Sequence, residues 1–107
     1  MKLLTVRILA EFCGGRLAAG SADALVQRVN TDSRAVRPGD LFVALIGEKF
    51  DAHDFTAQAA KDGAAAVMIS RDIVHDLPPS CAVIIVEDTL AGLQQLARRY
   101  REMMKPL

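Results

Sequence analysis

Cysteine is scarce, neither sign of charge is in excess, and no apolar run is long; each shortage removes a class of function. Cys13 and Cys81 are the only cysteines and stand far apart without a partner motif, so they form neither a zinc site nor a C-x-x-C redox pair. Thiols used this sparingly fit a reducing compartment, and the expected location is the cytoplasm. Thirteen basic and thirteen acidic side chains leave no net charge, which argues against nucleic acid, since a phosphate-backbone binder needs a cationic surplus. No segment approaches the length needed to span a bilayer, and Arg7 and Glu11 interrupt any signal-peptide core after Met1-Lys2-Leu3-Leu4. Neither phosphate-cradling glycine pattern, G-x-x-x-x-G-K-[ST] or G-x-G-x-x-G, occurs. H-E-x-x-H and cysteine clusters are also missing, so no metal site is expected. Nothing in the chain supports catalysis by itself.

What is present reads as one small globular domain, with 51% hydrophobic residues over 107 positions. Thr5 is placed to cap a helix, with Leu4 and Leu9 as its hydrophobic staple and Gly14-Gly15 as its stop. Residues 16–24 read as a connection, and Leu25 to Thr31 as a strand near an edge. Arg37-Pro38-Gly39-Asp40 has Pro and Gly where a type II turn prefers them. The runs Leu41 to Ile46, Ala64 to Ile69 and Cys81 to Val86 are apolar without alternation, as in strands covered on both faces. Asp54 is the predicted cap of a helix over Phe55 to Asp62, ended by Gly63. Asp88 is the predicted cap of the last helix, with Leu90, Leu93, Ala97, Tyr100 and Met104 at helical spacing. Its basic residues Arg98, Arg99 and Arg101, with Lys105, read as a solvated helix face and end. The expected fold is α/β: a small mixed or mostly parallel sheet of four to five strands with helices on both faces.

Candidate chemistry concentrates between residues 31 and 55, in two polar loops around one apolar strand. Asp32-Ser33-Arg34 offers an acceptor, a rotatable hydroxyl and a five-donor fork, suited to a ligand with phosphates and a hydrogen-bonding ring. The same residues also suit a plain turn in which Asp32 accepts backbone N–H groups and pairs with Arg34. Gly47-Glu48-Lys49-Phe50 leaves the end of a strand, where crevices of open α/β sheets lie. Lys49 could meet a phosphate and Phe50 a flat ring, or the two could be a solvated charge and a core side chain. His53, between Asp51 and Asp54, reads as a structural residue that holds its loop by hydrogen bonds. His75 reads as a surface residue; Met68, Met103 and Met104 read as core or helix-face positions.

Taken together, Thr31-Asp32-Ser33-Arg34, the stretch Pro38 to Leu45, Gly47-Glu48-Lys49-Phe50-Asp51-Ala52-His53-Asp54-Phe55 and Gly63-Ala64-Ala65 resemble the N-terminal domain of the Mur ligases, over essentially the whole chain. The run from Gly47 to Asp51 is most similar to members that add D-alanyl-D-alanine in peptidoglycan synthesis, with members that add the third peptide residue as the alternative. The resemblance implies a domain that holds the uridine diphosphate end of a UDP-N-acetylmuramoyl-peptide. ATP and magnesium are then implied for a central domain, expected to open about where Lys105-Pro106-Leu107 ends the chain. The chain alone is expected to be inactive, with no catalytic residue and no cofactor of its own. Matched to the family's D-S-R motif, Ser33 is the implied contact to the uridine diphosphate, with Thr31, Asp32 and Arg34 forming its loop. Glu48, Lys49 and Phe50 match the uracil-facing loop. A non-catalytic nucleotide-sensing or interaction module stands as a further alternative.

Overall fold

The computed structural model describes residues 2–105; Met1 and the closing Pro106-Leu107 lie outside them. A five-stranded sheet runs in the order β2 (Arg16–Ala19), β7 (Ala82–Ile85), β6 (Ala66–Ile69), β5 (Asp40–Val43), β4 (Arg28–Asn30). The strands β4, β5, β6 and β7 are parallel, and β2 closes one edge antiparallel to β7. A separate short ribbon pairs β1 (Leu4–Thr5) with β3 (Leu25–Val26). Helices α1 (Val6–Cys13) and α3 (Thr89–Met104) pack together on one face of the large sheet. On the other face lies α2 (Thr56–Lys61).

The apolar runs explain this layering. In β5, Leu41 and Val43 point into the core shared with α1 and α3, whereas Phe42 points into the core under α2. Ala66 and Met68 of β6 are divided from Val67 and Ile69 in the same way, as are Ala82 and Ile84 of β7 from Val83. Successive side chains of a strand face opposite ways, so a strand with both faces covered needs an unbroken apolar run.

Local signals set the helix ends. Thr5 accepts a hydrogen bond from the Ile8 amide, and Gly14 closes α1 at φ 72°, a left-handed conformation that costs glycine nothing. Asp88 caps α3 through the Ala91 amide. At Pro38-Gly39, the Asp40 amide returns to the Arg37 carbonyl and Gly39 takes φ 90°, as the predicted type II turn requires.

Four expectations need correction. Residues 16–19 are a strand, not a connection, because they find a nonlocal partner in β7. The predicted strand over 25–31 is divided: β3 serves the small ribbon, β4 forms the edge of the large sheet, and the Gln27 amide bonds the Gly39 carbonyl between them. Asp54 caps nothing; Asp51 takes that role by accepting from the His53 amide at the start of a 3₁₀ turn, Ala52–Phe55, which delays α2 to Thr56. Ile46, expected in a buried strand, is exposed, because β5 ends at Val43.

Candidate functional site

Because β4 and β5 are parallel neighbours, the loops that leave their carboxyl ends emerge on the same edge of the sheet. Between them lies a cleft of about 550 Å³ lined by Thr31, Asp32, Ser33, Arg34, Phe50, Ala52, Phe55, Gln58 and Asp62. That volume is within the usual range for small-molecule sites, and the carboxyl edge is where open α/β sheets hold them.

One wall is the turn after β4. The Asn30 side chain accepts the Asp32 amide at 2.8 Å, and Asp32 in turn accepts the Arg34 amide at 2.9 Å, capping the short 3₁₀ turn Ser33–Ala35. The Arg34 guanidinium folds back onto both oxygens of Asp32, at 3.1 and 3.3 Å. These side-chain bonds, and the Arg34 amide, hold the Asp32 carboxyl below the usual carboxylate range, and Asp32 raises Arg34 in return. The turn reading of Asp32-Ser33-Arg34 therefore holds, and the same turn lines the cleft.

From behind, an ion pair anchors this wall. Asp40, 1% exposed, accepts the Arg28 guanidinium at 2.9 and 2.7 Å, the Arg37 amide at 2.9 Å and the Asn30 side chain at 3.4 Å. Burial alone would raise the Asp40 pKa; the Arg28, Arg37 and Asn30 hydrogen bonds outweigh it and keep the carboxyl low. Arg28 also donates to the Ala35 carbonyl at 2.8 Å, tying the 33–35 turn to the sheet.

The opposite wall is apolar. Phe50 and Phe55 are 58% and 48% exposed, both on the cleft. Aromatic faces beside convergent polar groups suit a flat ring. Phe50 stands at the end of a tight turn in which the Gly47 amide bonds the Phe50 carbonyl at 2.8 Å and Ile46 bridges Asp51. Of the predicted residues, Thr31, Asp32, Ser33, Arg34 and Phe50 come together here. Glu48 and Lys49 are exposed on the turn, outside the lining. Ala52, Phe55, Gln58 and Asp62 join the lining without having been singled out. The i, i+4 spacing of Gln58 and Asp62, bonded at 3.0 Å, was the available signal.

Among the described residues no group of three or more His, Cys, Asp or Glu is placed to hold a metal ion. No phosphate-cradling glycine loop occurs in the sequence either. No helix among them is long and apolar enough to cross a membrane.

A mostly parallel sheet, helices on both faces and a polar-aromatic cleft at the carboxyl edge define the class: a small α/β domain of the kind that holds small molecules at its strand ends. The profile of the Mur ligase family, catalytic domain, matches residues 25–101. The UDP-N-acetylmuramoyl-tripeptide–D-alanyl-D-alanine ligase of Escherichia coli strain K12 is 42% identical over 101 residues, 94% of this chain and 21% of that protein. The UDP-N-acetylmuramoyl-L-alanyl-D-glutamate–2,6-diaminopimelate ligase of Parasynechococcus marenigrum is 37% identical over 99 residues, 90% of this chain and 20% of its own length. A crystal structure of MurF from Acinetobacter baumannii superposes with a TM-score of 0.84 at 33% identity, covering 96% of this chain and 22% of that one. MurF ligase from Thermotoga maritima, solved in complex with ADP, matches with a TM-score of 0.63 at 35% identity, over 73% of this chain and 17% of that one. The chain belongs to the Mur ligase family. It spans about a fifth of the length of the curated relatives it matches.

Proposed function

We propose that this chain is the substrate-holding domain of a MurF-type ligase. It grips the uridine diphosphate end of UDP-N-acetylmuramoyl-tripeptide while D-alanyl-D-alanine is joined to the far end in peptidoglycan synthesis. The observation that carries the reading is the convergence of the Asp32-Ser33-Arg34 turn and the Phe50–Phe55 segment on one cleft. The comparisons support it from another side. Relatives named for different amino components, the D-alanyl-D-alanine and the diaminopimelate ligases, both resemble nearly the whole chain. Their names share the UDP-N-acetylmuramoyl part, so a region common to both suits the common part of the substrate.

In this reading Ser33 donates to or accepts from the nucleotide through its hydroxyl, and Asp32 and Arg34 keep its turn in shape. Phe50 and Phe55 cover a pyrimidine, and main-chain groups around Thr31 meet its carbonyls and N–H. Glu48 and Lys49 contribute through the turn that carries Phe50. Binding a remote, unreactive nucleotide contributes to the reaction by fixing where the distant peptide carboxylate lies. ATP and magnesium belong, in the whole enzyme, to parts beyond these residues.

Titration of UDP, and then of the UDP-muramoyl peptide, into the 107-residue chain tests this by amide chemical shifts. Shifts confined to residues 31–34 and 50–58 are the expected result. Saturating nucleotide with no response there overturns the proposal.

A further inference from the structure

His53 is buried beside the cleft, yet it is not in the lining: its imidazole is 1% exposed. Each ring nitrogen has a partner. Nε2 lies 2.9 Å from the Ser70 amide, and Nδ1 lies 2.6 Å from an Asp51 oxygen. A backbone N–H can only donate, so Nε2 must present its lone pair, and the ring proton sits on Nδ1, directed at the carboxylate. The second Asp51 oxygen accepts the Arg71 guanidinium at 2.5 Å. Ser70 and Arg71 follow β6 directly, so a closed circuit joins the end of β6 to residues 51–53. Its Arg71 arm is solvent-exposed and adds little; the His53 arms are shielded from water.

What this circuit holds is one wall of the cleft. Phe50, Ala52 and Phe55, its apolar lining, all lie within three residues of His53. The Asp32-Ser33-Arg34 wall is held separately, by Asn30 and by Arg28 with Asp40. We infer that His53 is a positioning residue for nucleotide binding: its Nδ1–H tautomer latches the Phe50–Phe55 wall to the end of β6 and sets that wall's distance from Ser33. The inference rests on the proposed function for its ligand, but not for its geometry.

The test separates the two. In the ligand-free chain at neutral pH, nitrogen NMR of His53 shows a protonated Nδ1 and a bare Nε2, and the Ser70 amide exchanges slowly. A protonated Nε2 overturns the assignment. His53→Asn lacks the reach to serve Ser70. UDP affinity then falls about tenfold, the scale of one buried hydrogen bond. The ring resonances of Phe50 and Phe55 move, while the amides of residues 31–34 do not. His53→Gln restores an acceptor near the Nε2 position and binds within about threefold of the parent. Unchanged affinity and unchanged Phe50 and Phe55 resonances in His53→Asn overturn the inference, as does a disturbance that reaches residues 31–34 equally. Should His53→Asn fail to fold, a tenfold loss in folded His53→Gln has the same force. If the parent chain binds no UDP, the proposed function falls, and the tautomer and the phenylalanine resonances still decide the latch.

Discussion

The ring of Phe50 lies against the backbone of Gly47 so closely that a β-carbon on Gly47 would come within 2.4 Å of its Cε1. The Gly47 backbone is not in the left-handed region, so alanine is acceptable to the main chain and only the ring must yield. Phe50 is exposed and free to turn. Gly47→Ala is therefore expected to keep the fold and its thermal midpoint within a few degrees, yet to weaken UDP binding by about tenfold by displacing one wall of the cleft. Calorimetric titration beside thermal unfolding checks both halves.

Ser33 and Lys49 should part company. Ser33 lines the cleft and Lys49 does not. Ser33→Ala is expected to lose about 1 kcal/mol of nucleotide binding, the worth of one hydrogen bond. Lys49→Ala is expected to bind UDP as the parent does at physiological salt. Equal losses in the two variants would show that the phosphates run over the Gly47–Phe50 turn.

Asp40 is the buried anchor of the β4 wall, and its partner Arg28 remains partly in water. Asp40→Ala leaves a guanidinium, a backbone amide and an asparagine without their acceptor. We expect a loss of about 3 kcal/mol in urea unfolding, at the lower end for broken buried pairs because Arg28 can rehydrate.

Acid should unfold the domain through Asp40 and Asp51. For both, burial pushes the pKa up, and hydrogen bonds more than reverse it: from Arg28, Arg37 and Asn30 at Asp40, and from the His53 amide and ring at Asp51. The folded state thus holds protons less readily than the unfolded chain. Their stabilisation is complete above the ordinary value of 3.8 and is lost as pH falls through the lower folded values. The thermal midpoint is expected to fall steeply below about pH 4. In Asp40→Asn the fall should be shallower.

Both thiols should be silent in the native protein. Burial raises Cys13 and pushes Cys81 up to about 11, so the reactive thiolate is rare at pH 8 and sterically shielded. Alkylation by iodoacetamide at pH 8 is expected to track global unfolding in urea. Fast labelling of either cysteine without denaturant would contradict the buried placement.

Much of the α/β architecture was legible in the chain because short-range physics sets it. Continuous apolar runs mark strands covered on both faces, and Thr5, Asp88 and Gly14 end helices through groups only a few residues away. Asp32 likewise forms its turn with its own neighbours, so that wall of the cleft was visible from the motif. Only the tertiary structure decided the rest. Arg16–Ala19 becomes a strand by pairing with β7, and Leu25 to Asn30 is shared between two sheets, since strand formation depends on a partner distant in sequence. The meeting of Ser33 with Phe50, Phe55 and Gln58, and of His53 with Ser70, is likewise long-range. Residue order supplied the parts of the site; the parallel register of β4 beside β5 brought their loops to one edge.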